Sequence, residues 1–371
     1  CKLHAVHSMQ IQFLIIVTYK TGRMKYEEDL LLHQATPLLI VMNFEDHEMV
    51  SNTVTLAVDI FLFVICVLQA LANLLVIVAY ATSKVLREND NLILLVSLAL
   101  IDFAYAVLSL PYLAILIVGW VPNGEMFNYN EKLIIGFGGS PAALMKSGCT
   151  ITTLIAVDRI FALYFPMKYY VLQRRRYFIF GFALSVTMAA FDWMMLWLIS
   201  PVRPSPSCPS FACFTSTEFR TYWGLSNTAV NFLSCLLTIA LVPGLNKFHF
   251  EHSRQILKNC RQSDDKSATR AAIYILIISA IFGVIPGTIN GCAEYLNLMI
   301  LNDVGFFIGV CASISGLSHA FIFGMAHRGV RSRILRMFGH KVANLSVASV
   351  QRFDLHSIAF SKVAITSQHA G

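Results

Sequence analysis

Long runs in which apolar residues occupy every helical face alternate along this chain with short polar breaks. The runs cover residues 54–82, 91–118, 133–163, 177–199, 220–242, 271–298 and 305–323. A hydrocarbon core about 30 Å thick is crossed by roughly 20 helical residues, and all seven runs are near or above that length. Helices of a soluble protein would alternate apolar and polar faces, which these do not. Nor do they show the in-and-out alternation over about ten residues that marks a membrane-spanning β-strand. The pattern predicts an all-α integral membrane protein, a bundle of seven transmembrane helices.

Composition agrees: 56% of the residues are hydrophobic, 13% are charged and the mean hydropathy is +0.64, which leaves too little polar surface to solubilise 371 residues. The charges add an orientation. Lys84 and Arg87 follow span 1, while Lys168, Arg174, Arg175 and Arg176 follow span 3. Lys247, Arg254, Lys258, Arg261, Lys266 and Arg270 follow span 5, and Arg328, Arg331, Arg333, Arg336 and Lys341 follow span 7. The opposite loops offer mainly Lys132, Arg203 and Arg220. The positive-inside rule therefore predicts a cytoplasmic C-terminus and an N-terminus outside. The net charge of +7 is then a topology signal that needs no nucleic-acid partner.

The expected organisation is an N-terminal extracellular segment at 1–53, the seven-helix membrane domain at 54–325, an amphipathic juxtamembrane helix at 326–340 and a flexible cytoplasmic tail at 341–371. Residues 1–41 stand apart from the working protein: their apolar stretch 11–19 is too short to span, and Met42 just precedes the acidic residues Glu45, Asp46 and Glu48 that lead into span 1. A real extracellular tail is the alternative. In 326–340, Val330, Ile334, Leu335 and Phe338 form one apolar stripe ringed by arginines, a pattern suited to the anionic lipids of an inner leaflet. Most of the nine cysteines lie inside spans as small hydrophobes. Cys208 and Cys213 share the outer loop between spans 4 and 5, where their spacing allows either a small bridge or two free thiols.

Polar residues inside spans are costly and for that reason informative. Asn73 in span 1 and Asp102 in span 2 come first, Asp102 closing Leu98-Ala99-Leu100-Ile101-Asp102, and span 3 ends on Asp158-Arg159-Ile160. Seven spans with these residues in this order resemble a G-protein-coupled receptor. Phe161-Ala162-Leu163-Tyr164-Phe165-Pro166, then Cys213-Phe214-Thr215-Ser216-Thr217-Glu218-Phe219-Arg220-Thr221-Tyr222-Trp223-Gly224 and Ile285-Pro286-Gly287 narrow the likeness. Over about residues 54–338 the chain resembles the nematode chemoreceptors of the serpentine receptor family, class BC. That resemblance implies a multi-pass plasma-membrane receptor, often in the cilia of sensory neurons, that detects a small molecule and activates a heterotrimeric G protein. It implies no cofactor, no bound metal and no enzymatic step, and it implies an eighth helix inside.

The chain also departs from better-known receptors. Ser315-Gly316-Leu317-Ser318-His319 stands where rhodopsin-like receptors carry Asn-Pro-x-x-Tyr, and Val284 replaces the Trp expected two residues before Pro286. The outer end of span 3 has Ile134 near the place of the usual bridging Cys, which favours a Cys208–Cys213 bridge. A ligand-gated channel of inverted topology would place the N-terminus inside, against the charge bias. A transporter would be expected to carry paired broken helices, of which span 6 alone qualifies.

Three residues in the spans invite a role. Arg159 can pair with Asp158 at rest and turn to a partner protein when span 6 moves, or it can snorkel as an anchor. Pro286 removes a backbone hydrogen bond, so with Gly283 and Gly287 beside it span 6 is expected to hinge there, although Pro and Gly are common in membrane helices. Lys146 shares an inward face with Ala142, Met145 and Cys149. Its ammonium either pairs with Asp192 or Glu294, or lies at the floor of a ligand cavity drawn from Met145, Lys146, Trp193, Tyr222, Asn290 and Glu294. Pro141 stands where amine receptors have a ligand-pairing Asp, which disfavours cationic amines, and span 7 holds no Lys for a retinal Schiff base.

Overall fold

In lipid an apolar run can satisfy its backbone polar groups internally by becoming a helix, and each of the seven runs does so over its described residues. The structure is a computed structural model that describes residues 52–121, 129–171, 174–202, 208, 210–252, 261–289 and 304–338. Contacts divide the chain into Cys1–Met49, which lies outside the described residues, and Val50–Gly371, to which everything below belongs. The long helices are α1 Asn52–Ala81, α2 Ile93–Val118, α3 Glu131–Tyr164, α4 Arg174–Ile199, α5 Thr217–His252, α6 Arg261–Ser279 and α7 Val304–Ala326. Seven helices are long and apolar enough to cross a membrane, six of them matching the predicted spans to within a few residues and the sixth in chain order starting at the predicted Ala271, so this is a multi-pass membrane protein. The part of the sixth span beyond residue 289 and the tail 341–371 lie outside the described residues. Among the described residues there is no strand.

Local chemistry sets the helix starts. The Asn130 side chain accepts from the Leu133 N–H at 3.2 Å to begin α3, and Ser216 accepts from Phe219 at 3.0 Å to begin α5. His327 accepts from Val330 at 3.3 Å to begin a short helix, α8 Arg328–Met337. Val330 of α8 is fully buried and Ile334 packs on the bundle, whereas Leu335 and Phe338 are exposed. Arg333 ties α8 to the end of α1 through the hydroxyl and carbonyl of Thr82 at 3.2 and 3.3 Å.

We take the end at which α1 begins as the upper end and the basic end as the lower. α3 is central, packing against α2, α4, α5 and α6, while α7 closes the ring against α1, α2 and α6. Helix association in lipid rests on close packing, because apolar side chains gain nothing by leaving hydrocarbon. Gly139 shows how this is met: a methyl there would run into the Leu196 side chain of α4. A lower core of Leu94, Leu98, Ile151, Ile155, Ile275 and Phe323 and an upper core of Leu116, Ile134, Ile135, Leu196, Phe214 and Phe219 fill the interior. Phe61, Phe180, Leu198, Phe232 and Phe321 point outwards, as a lipid solvent requires.

α6 does not simply kink at Pro286. Its last α turn opens into a π-helical stretch, Ala280–Val284, before helix resumes at 285–289. Proline lacks an N–H and its ring crowds the carbonyl four residues back, and a widened turn relieves both. Of the two flanking glycines, Gly287 lets α5 approach, since a methyl there would strike the Asn231 amide. A methyl on Gly283 would meet nothing within 4 Å.

Candidate functional site

At the upper end, α1, α2, α3, α5 and α7 surround a cavity of about 180 Å³. The loop before α5 forms part of its wall. There Cys208 is joined to Cys213 in a disulfide, and the intervening Phe211 donates its N–H to the Tyr112 hydroxyl at 3.1 Å. Arg220 Nη1 donates to the Ala212 carbonyl at 3.0 Å, fastening the same loop to α5. Tyr105, Tyr112, Phe211, Phe219 and Trp223 give the cavity aromatic walls, and Asp59 of α1 and Ser109 of α2 supply polar atoms. Just above α3, Tyr129 donates its hydroxyl to the Leu116 carbonyl at 3.1 Å. Burial, reinforced by the nearby Asp59 charge, pushes this phenol up to about 12, so it keeps its proton at any physiological pH.

Deeper, Lys146 Nζ lies 2.6 Å from Asp192 Oδ1 and 2.7 Å from the Ser226 hydroxyl. Tyr222 donates to the same carboxylate oxygen at 2.8 Å, and its ring lies 5.1 Å from the ammonium. The group binds α3, α4 and α5 together. A buried ammonium needs such partners, because without them its desolvation would be uncompensated.

Below the upper cavity lies a smaller one of about 80 Å³, bordered by the π turn, Pro286, Asn227 and Asn231. Its floor is a polar knot. Asp102 Oδ2 sits 2.9 Å from His319 Nδ1, and His319 Nε2 faces the hydroxyls of Ser279 at 2.9 Å and Ser315 at 3.2 Å. With a carboxylate at Nδ1, that nitrogen carries a proton and donates. Asn73 donates to the carbonyls of Gln69 and Gly316 at 3.0 and 3.2 Å, and Gln69 donates to the Asp102 carbonyl at 3.0 Å. α1, α2, α6 and α7 thus share one hydrogen-bonded centre. Gly316 makes it possible, since a side chain there would occupy the place of the Gln69 amide.

At the lower end Arg159 pairs with Asp158, its neighbour in the chain, and donates from Nη1 to Thr269 Oγ1 of α6 at 3.0 Å. Both charged side chains are buried. The Thr269 bond links α3 to α6 beneath the π turn.

The predicted site residues are spread over the two cavities, the buried pairs and the outer face of the bundle. Met145 borders both cavities. Lys146 and Tyr222 are engaged with Asp192 and do not border the upper cavity, the arrangement of the ion-pair alternative and not of a ligand floor. Trp193 is 43% exposed on the outer face of α4, stacked edge-on with Trp197, because the residue after an inward-facing Asp192 is turned about 100° away. Asn290 and Glu294 lie outside the described residues. Asp59, Gln69 and Thr269 were not singled out from the sequence. For Asp59 the signal existed: an ionisable residue within an otherwise apolar span marks a function by default. Thr269 carries no such mark, since threonine is ordinary in a helix.

No curated protein shows a significant match to the chain. The family model described as serpentine type 7TM GPCR chemoreceptor Srbc matches residues 51–323, from the start of α1 to within three residues of the end of α7. Seven membrane-length helices, an Asp-Arg pair at the lower end of the third and a sequence match across most of the chain agree: the protein belongs to the Srbc family of serpentine seven-helix chemoreceptors.

Proposed function

We propose that the protein is a plasma-membrane chemosensory receptor, upper end outside and lower end in the cytoplasm, that binds a small ligand in the upper cavity and activates a heterotrimeric G protein. It performs no enzymatic step and resides in sensory cilia, with α8 resting on inner-leaflet lipid. The observation that carries this reading is the pairing, within one bundle, of a ligand-sized cavity above with the Arg159–Thr269 link between α3 and α6 below. Tyr105, Met145, Trp223 and Ile308 border both cavities, so a ligand in the upper one touches side chains that also face the π turn. Movement of α6 about that turn would draw Thr269 from Arg159 and release the guanidinium to a partner's helix.

Two measurements in heterologous cells test the proposal. An epitope fused to the N-terminus should be stained on intact cells, and one after α8 should need permeabilisation; the reverse pattern favours the inverted channel. A small-molecule screen with a calcium or cyclic-nucleotide readout should yield an agonist that acts on the wild type and fails on Arg159→Ala at equal surface level. Agonist-evoked currents that persist without G proteins would overturn the reading.

A further inference from the structure

We infer that the ligand of the upper cavity is a small organic cation whose positive group meets the Asp59 carboxylate; this rests on the reading of that cavity as the ligand site. Four aspartates are buried among the described residues. Asp102 faces His319, Asp158 pairs with Arg159 and Asp192 pairs with Lys146. Asp59 differs from these three. Its side chain is 3% exposed, its Oδ1 has no hydrogen-bond partner among the described residues, and it borders the cavity about two turns below the start of α1.

A buried carboxylate with no counter-charge paired to it among the described residues is costly, and such a group either takes up a proton or keeps its charge where something else supplies the opposite one. The walls fit that role. Tyr112, Phe211, Phe219 and Trp223 offer ring faces that attract an organic cation, most strongly where water is excluded. Arg220 also borders the cavity, but it stands on α5 and its Nη1 donates to the Ala212 carbonyl, so that nitrogen is committed to the loop and is not paired with Asp59. A cavity of about 150 Å³ accommodates benzene, so about 180 Å³ suits one ring with a short charged tail. This inference runs against the sequence expectation that Pro141 disfavours amines. Pro141 borders this same cavity from α3, and the carboxylate comes from α1 instead.

The test is thermal unfolding of the purified full-length protein in detergent, a binding readout that needs no G protein. The probes are single-ring compounds on one short tail ending in a primary ammonium, a trimethylammonium, a hydroxyl or a carboxylate. The cationic probes should raise Tm of the wild type well above the effect of their hydroxyl partners at equal concentration. Asp59→Asn should weaken cation binding roughly ten- to a hundredfold, the size expected for loss of a charge-assisted contact, and should affect hydroxyl binding far less. Without ligand, the variant should unfold at the same temperature as the wild type or higher, because it sheds an unpaired buried charge. A lower Tm would mark Asp59 as structural and overturn the inference. So would equal or better binding of the hydroxyl or carboxylate probes, or no preference for cations in the wild type, a result that needs no variant to fold. Cation binding without G-protein activation would leave this assignment standing and refute the signalling reading; agonists with no cationic preference would do the opposite.

Discussion

Lys146 on α3 and Asp192 on α4 stand 2.6 Å apart, nitrogen to oxygen, with 3% and 1% of their side chains exposed. Such a pair is held by mutual need: each charge would be stranded without the other, although both replaced by apolar groups could pack as well. Lys146→Met should therefore destabilise the protein by about 3–5 kcal/mol, and adding Asp192→Asn should restore most of the loss. Thermal unfolding and surface level measure both steps. Normal stability of the single variant would show that the ammonium reaches water.

Thr269 offers a test of the lower link. Thr269→Val keeps the shape and removes one hydrogen bond to a charged group, a contact of about 1.5–3 kcal/mol. If that bond favours the resting state, agonist-free signalling should rise roughly ten- to a hundredfold. Unchanged basal signalling at equal surface level would show that the link does not restrain α6.

For the outer loop, mass spectrometry without reduction should find a single peptide pair joined through Cys208 and Cys213. A loop this short constrains the unfolded chain by about 2 kcal/mol, so Cys208→Ser should lower surface delivery and also loosen Phe211 over the cavity. Alkylation of both thiols in the native protein would contradict the bridge.

The glycines of α6 separate packing from motion. Gly283→Ala meets no neighbour, so it should stabilise the helix by about 0.5–1 kcal/mol while reducing agonist response if the π turn moves. Gly287→Ala, which pushes against Asn231, should instead lower Tm, by about 1–3 kcal/mol of stability. Equal responses in wild type and Gly283→Ala would argue against a hinge at this place.

The spans were legible because a bilayer imposes length and apolarity on every helix that crosses it, and this constraint acts on each run separately. Lys146 was legible for the same reason, as a charge where none is tolerated alone. Its partner was not. Sequence gives depth along a helix but not which side chain of a neighbouring helix lies opposite, so Asp192 and Glu294 were both candidates, and the 2.6 Å contact of Lys146 Nζ with Asp192 Oδ1 is what identifies the partner. Trp193 drew notice by its size, yet adjacency to Asp192 in the chain places it on another face. Asp59 was obscured because its meaning depends on the cavity beside it, and that cavity is assembled from five helices. His319 was visible as a departure in span 7, whereas its pairing with Asp102, 217 positions away, required the fold.

The π stretch at Ala280–Val284 has a consequence for register. A π turn holds one residue more than an α turn, so a wheel phased from the lower half of α6 is out of step by about 100° above Val284. Ser279 and Gly287, eight apart, face the lower cavity together. Removing one residue within 280–284 would convert the stretch to ordinary α-helix and leave both halves on their present faces. A one-residue deletion, usually ruinous inside a membrane helix, would here keep the register of both halves while returning Pro286 to an ordinary α turn, where its ring crowds the carbonyl four residues back and bends the helix.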